Sequence, residues 1–210
     1  LLVGMNMPIT HIKKLKIKAP IVLLERDVPN REFDVVKINN KAGTYQAVQH
    51  LIQRGHTRIA HIRGAHLSVP AKERWEIFKQ CMEDNGLEVY PQYVVQGDYK
   101  LESGYEAMAT LMHLNPRPTA VFCANDNMAL GALRYLQEQK IAVPEQVALV
   151  GYDDIPMAEM VTPALTTVRQ PVMELARTAT QLLLNRIQEE GKGVTREIIM
   201  DSELVVRKSS

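Results

Sequence analysis

Thr119-Ala-Val-Phe-Cys-Ala-Asn-Asp126 and Val147-Ala-Leu-Val-Gly-Tyr-Asp-Asp154 set the architecture of this chain. Each is a short, continuous apolar run that ends in polar residues, the pattern of a strand buried on both faces. Between them, Asn127-Met-Ala-Leu-Gly-Ala-Leu-Arg-Tyr-Leu136 has the apolar spacing of a helix, so the segment reads strand, helix, strand with parallel strands. Such strands end on one edge of their sheet. Asn125 and Asp153 are therefore expected to face a common crevice, where open α/β sheets hold ligands.

The same alternation extends outward in both directions. Apolar runs at 1–5, 21–24, 35–38, 58–62, 93–96 and 198–206, the last in one or two pieces, add strands to 119–123 and 147–150. Helices are expected over 9–16, 42–53, 71–85, 102–113, 127–139 and 172–189. Gly55 and Gly86 suit the left-handed residue that closes a helix, and Pro171 suits a first turn. In the last helix Val172, Leu175, Ala176, Ala179, Leu182, Leu183 and Ile187 recur on one face. Alternating strands and helices of this kind form parallel sheets covered by helices, the α/β class. Leu1-Leu-Val-Gly-Met5 reads as the interior of a strand, which leads us to expect further residues upstream.

With 210 residues, 46% hydrophobic and 23% charged, the composition is that of a folded globular protein. A net charge of +1, with basic residues dispersed, gives no footprint for a phosphate backbone, so DNA contact by this segment is not expected. Cys81 and Cys123 have no metal-ligand or redox spacing and read as reduced core thiols. No run reaches the ~20 apolar residues of a membrane span, and no secretion leader is visible. A cytoplasmic location follows as the expectation.

The segments after the parallel strands define a rim: 65–70, Asp98-Tyr99, Asn125-Asp126 and Asp153-Asp154, with Arg74 and Trp75 in the following helix. A guanidinium, an amide, a carboxylate and aromatic faces suit a small, neutral, hydroxyl-rich molecule such as a sugar. Other roles stay open at this point. Asn125 also suits a cap for the next helix, Asp126 and Asp154 suit first-turn or loop positions beside helix amides, Arg74 suits a pairing with Glu73 or Glu76, and Trp75 suits the core. His56, His61 and His66 recur at a spacing that no helix or strand aligns, so no metal site is expected. Gly4, Gly43, Gly64 and Gly151 make no phosphate-binding motif, and no nucleophile-and-base arrangement is present. No cofactor and no catalytic residue are expected, and the chain reads as a binder and not an enzyme.

A family resemblance rests on Pro20-Ile-Val-Leu-Leu-Glu-Arg26, Ala42-Gly-Thr-Tyr-Gln-Ala-Val-Gln-His-Leu51, Arg54-Gly-His-Thr-Arg-Ile-Ala60, Glu102-Ser-Gly-Tyr105, Pro118-Thr-Ala-Val-Phe-Cys-Ala-Asn-Asp-Asn-Met-Ala-Leu-Gly-Ala132, Val143-Pro-Glu-Gln-Val-Ala-Leu-Val-Gly-Tyr-Asp-Asp-Ile155 and Pro163-Ala-Leu-Thr-Thr-Val-Arg-Gln-Pro171. In this order and spacing the chain resembles the effector-binding core of the lactose- and galactose-repressor (LacI/GalR) family, without the DNA-binding headpiece. The resemblance implies a periplasmic-binding-protein-like fold: two Rossmann-like subdomains with parallel sheets and a ligand cleft between them. It places 1–38 plus 172–198 in the remainder of an amino-terminal subdomain and 39–171 plus 199–210 in the carboxyl-terminal one.

It also implies ligand contacts from Asn6, Arg74, Tyr99, Asn125, Asp153 and Gln170. Ile77 departs from the glycine common between that arginine and the aromatic at Phe78, and Glu25 replaces a frequent aspartate. The implied function is effector sensing by a homodimeric transcriptional regulator, a small sugar modulating DNA binding through a helix-turn-helix outside this chain. The alternative is a transport-linked periplasmic sugar-binding protein of the same fold.

Overall fold

The computed structural model describes residues 2–3, 9–14, 19–26, 28, 32–188 and 193–210. The chain divides into two compact units, the smaller comprising 1–39 and 171–201 and the larger 40–170 and 202–210. The smaller unit holds a parallel four-stranded sheet of β1 (Leu2–Val3), β2 (Val22–Leu24), β3 (Asp34–Ile38) and β9 (Glu197–Met200), in that spatial order. Helix α1 (Ile9–Lys14) and helix α7 (Val172–Gln188) belong to it. Leu175, Ala179 and Leu182 of α7 pack on Val22, Leu24, Val36 and Ile38, which is the apolar face seen in its sequence. A buried ion pair fastens the same helix: Arg186 donates to Asp34 at 2.5 and 3.0 Å, and the Arg196 amide adds a third donor at 2.7 Å. Three donors satisfy the carboxylate where water does not reach it.

The larger unit is built on six strands in the order β10-β8-β7-β6-β4-β5. These are β4 (Ile59–Arg63), β5 (Val94–Gln96), β6 (Ala120–Cys123), β7 (Ala148–Asp153), β8 (Thr166–Arg169) and β10 (Glu203–Val205). All pairings are parallel except β10 with β8. The central strands are buried on both faces, which is why their sequences run apolar without alternation. Ala60, Ile62, Val121, Cys123 and Leu149 meet α4 (Leu101–Met112) and α5 (Asp126–Glu138) on one face. Ile59, Ala120, Phe122, Ala148, Val150 and Tyr152 meet α2 (Asn40–Gln53) and α3 (Val69–Asp84) on the other.

The run 198–206 forms two pieces, β9 and β10, which belong to different sheets. Strand β8 and the short helix α6 (Pro156–Met160) were not foreseen, because Thr166-Thr-Val-Arg169 lacks an apolar run. Both threonines are nevertheless fully buried. The Thr167 hydroxyl donates to Asp126 at 2.5 Å, and Thr166 Oγ1 accepts from the Arg207 amide at 2.9 Å. Satisfied hydroxyls let a polar strand occupy an interior position.

Candidate functional site at the carboxyl edge of the six-stranded sheet

The ends of β5, β6, β7 and β8 carry Tyr99, Asn125, Asp153 and Gln170, and helix α3 after β4 carries Arg74, so five of the six expected residues are in the larger unit. Arg74, Tyr99, Asn125, Asp153 and Gln170 lie there, whereas Asn6 falls outside the described residues. The backbone is unusual at this edge: Tyr99, Asp153 and Asp154 have φ of 73°, 121° and 58°. For residues with a Cβ such conformations cost on the order of 1–3 kcal/mol each, and surrounding contacts must hold them.

Those contacts can be named. Gln170 donates its side-chain amide to Asp153 Oδ1. Burial pushes the Asp153 carboxyl up, while Arg74 and the Gln170 hydrogen bond oppose that shift. Arg74 is buried. Its Nε donates to Asn40 Oδ1 at 3.0 Å, its Nη1 donates to the Ala124 carbonyl at 2.5 Å, and its guanidinium carbon lies 3.6 Å from the centre of the Tyr152 ring. Asn40 in turn accepts from the Tyr152 hydroxyl at 3.3 Å and donates to Glu73 at 2.8 Å. An arginine held by two hydrogen bonds and a ring face is fixed in plane before any ligand arrives.

Asn125 serves the scaffold: Oδ1 accepts from the Met128 amide at 3.0 Å, capping α5, and Nδ2 donates to the Tyr99 carbonyl at 3.1 Å. One amide hydrogen and one lone pair are left over. The Tyr99 ring lies over Gly64, where an added Cβ would come within 2.3 Å of it, so only glycine admits the ring there. Its hydroxyl bonds Ser68 Oγ at 2.9 Å, and Ser68 also accepts from the Ala71 amide to cap α3.

Trp75 is engaged elsewhere. Its ring stacks with His61 and Phe78 at 5.9 and 5.8 Å, and it borders a groove with Lys79, Glu83, Leu87 and Val94. Asp126 is in the first turn of α5 and fully buried, but it accepts from the Ile155 amide at 2.9 Å and from Thr167 and not from its own helix; burial pushes it up to about 7. Asp154 is a loop residue, and it takes Arg169 and Arg207, each at 2.7 Å.

Sequence reasoning missed Asn40, Tyr152 and the role of Asp126. Tyr152 carried a signal, since it stands inside Gly151-Tyr-Asp-Asp154; Asn40 carried none. Among the described residues there is no cluster of three or more His, Cys, Asp or Glu able to hold a metal, and no helix is long and apolar enough to cross a membrane. The arrangement offers a partly buried carboxylate as acceptor, a pre-oriented guanidinium as donor and an aromatic ring.

Residues 48–210 match the family described as periplasmic binding protein-like domain. The chain is 39% identical over 192 residues to the HTH-type transcriptional repressor PurR of Haemophilus influenzae, covering 90% of this chain and 57% of PurR. It thus spans a little over half the length of that relative. A solved structure of the transcriptional regulator CelR in complex with cellobiose superposes with a TM-score of 0.92 at 34% identity, covering 100% of this chain and 64% of that one. A regulatory protein of the LacI family from Chloroflexus aggregans superposes with a TM-score of 0.89 at 32% identity, covering 99% and 75%.

Proposed function

The chain belongs to the LacI family, with a periplasmic-binding-protein-like domain, and from that premise we propose that it is the effector-sensing part of a transcriptional regulator that binds a small sugar or sugar derivative. The observation that carries this reading is the treatment of Asp153. A partly buried carboxylate sits at a strand end in a left-handed conformation, bonded by Gln170 and acted on by the Arg74 charge. That expense suits an acceptor awaiting ligand hydroxyls.

In this reading Asp153 accepts from ligand hydroxyls, Arg74 donates, Tyr99 covers the apolar face of a sugar ring, and Asn125 and Gln170 hold the loops and contact the ligand with their remaining groups. Asn6 is proposed as a further contact. The relatives are named as repressors and regulators, which favours this role over transport, and the CelR complex with cellobiose supports the choice of a saccharide. The whole protein acts as a cytoplasmic homodimer that reaches DNA through a helix-turn-helix and carries out no catalysis. The ligand shifts the DNA-binding equilibrium only by its differential affinity for two states, typically 1–3 kcal/mol.

Titration calorimetry with mono- and disaccharides, cellobiose among them, tests the proposal. One or more should bind, and Asp153→Asn should weaken that binding ~30-fold or more, the cost of a lost charged hydrogen bond in a buried site. Binding by none of them, or equal affinity in D153N, overturns it.

A further inference from the structure

Asp126 stands behind the proposed site and touches both segments that carry the Asp153–Gln170 pair. Its Oδ2 accepts from the amide of Ile155 at 2.9 Å, directly after the two left-handed residues Asp153 and Asp154. Its Oδ1 accepts from Thr167 at 2.5 Å, in the strand that leads to Gln170. The fit is close on a third side, since a Cβ at Gly151 would fall 2.2 Å from Oδ1. Ordinary first-turn aspartates face their own helix amides; this one faces two other strands.

We infer that Asp126 is the positioning residue of the ligand site, clamping the Asp153–Ile155 turn to β8, and that gain or loss of its proton is coupled to ligand affinity. This rests on the ligand reading given above.

The neighbouring charges explain the coupling. Cys123 faces Asp126 from β6, and Asp153 and Asp154 face it from the end of β7. Asp154 has ion pairs with Arg169 and Arg207, and the Arg74 charge acts on Asp153, whereas no ion pair involves Asp126 among the described residues. Burial pushes the Asp126 carboxyl up to about 7, so its proton is exchanged near neutrality. A hydroxyl donating to Asp153 favours the ionised form of that residue. An ionised Asp126 beside it opposes the same form, and a protonated one does not. Affinity for a neutral sugar is therefore higher at pH 6 than at pH 8.

The full chain is titrated with cellobiose at pH 6, 7 and 8, and with whichever saccharide binds if cellobiose does not. Affinity should fall about fivefold from pH 6 to pH 8. In D126N the new amide oxygen still accepts from Ile155, and the Thr167 hydroxyl can rotate to accept from the new amide nitrogen. That variant should bind with a flat pH profile at the pH 6 level. D126A and T167V, which break the clamp wholly or in part, should bind weakly at every pH.

A profile in D126N that follows the wild type, or unchanged affinity in both D126A and T167V, overturns the inference. Hydrogen exchange at the Ile155 amide of the ligand-free protein gives a readout that needs no sugar. Protection should persist in D126N and be lost in D126A; equal protection in both overturns the clamp. Absence of all saccharide binding together with this exchange pattern overturns the function proposed above and the proton coupling, and leaves the clamp standing.

Discussion

Arg74 has its orientation set by Asn40 more than by its own helix. Removing the Asn40 side chain takes an acceptor from Arg74 Nε and from the Tyr152 hydroxyl at once, and a donor from Glu73. The Ala124 carbonyl and the Tyr152 ring would still hold the guanidinium, but in a less defined plane. Asn40→Ala is expected to weaken saccharide binding ~10-fold and to destabilise the fold by about 1–2 kcal/mol, the cost of buried groups left unpaired. Calorimetry for affinity and thermal unfolding for stability measure the two effects separately. Unchanged affinity with reduced stability would make Asn40 a purely structural residue.

At the scale of elements, the edge depends on how closely α4 and α5 approach. A Cβ at Gly104 would lie 2.1 Å from the Met128 carbonyl oxygen, and one at Gly131 would lie 1.9 Å from that of Leu101. The obstacles are backbone, which cannot rotate away. Gly131→Ala should therefore force the helices apart and destabilise the protein by about 2–4 kcal/mol, although alanine has the better helix propensity. Hydrogen exchange should rise at the Met128 amide, which Asn125 caps, and a midpoint equal to wild type would show that the pair can slide.

The legibility of these elements differs for physical reasons. Strands β4, β6 and β7 announce themselves because both faces are covered and most of their positions are apolar. Strand β8 does not, because its threonines are satisfied by Asp126 and Arg207, partners distant in sequence. The break between β9 and β10 falls at Asp201-Ser202, and the sequence allows one strand or two there, since both halves need β-forming residues whichever sheet they join. Asp153 and Gln170 could be singled out from position and motif, but their hydrogen bond, the burial of Asp126 and the bracing of Arg74 by Asn40 are products of tertiary packing.

For the whole molecule, two buried groups pull stability in opposite directions with pH. His61 is enclosed by Phe78, Phe122 and Trp75, its Nδ1 donates to the Phe122 carbonyl at 3.0 Å, and Nε2 has no partner among the described residues. Burial lowers it to about 3 from an ordinary 6.5, so the unfolded chain takes up this proton first. Its contribution is present above pH 6.5 and is lost as pH falls toward 3, with His50 and His56 acting in the same direction. Asp126 is the reverse case: raised from 3.8 to about 7, it contributes fully below 3.8, and the contribution is lost as pH rises through 7. Each effect is on the order of 4 kcal/mol across its window, and between pH 6.5 and 3.8 they offset one another. His61→Phe keeps the ring stack and removes one side of the balance. Relative to wild type, its midpoint of urea unfolding should rise progressively as pH is lowered from 7 to 4.5, while that of D126N should fall over the same range. Two variants whose midpoints track the wild type at every pH would mean that neither group titrates as its burial dictates.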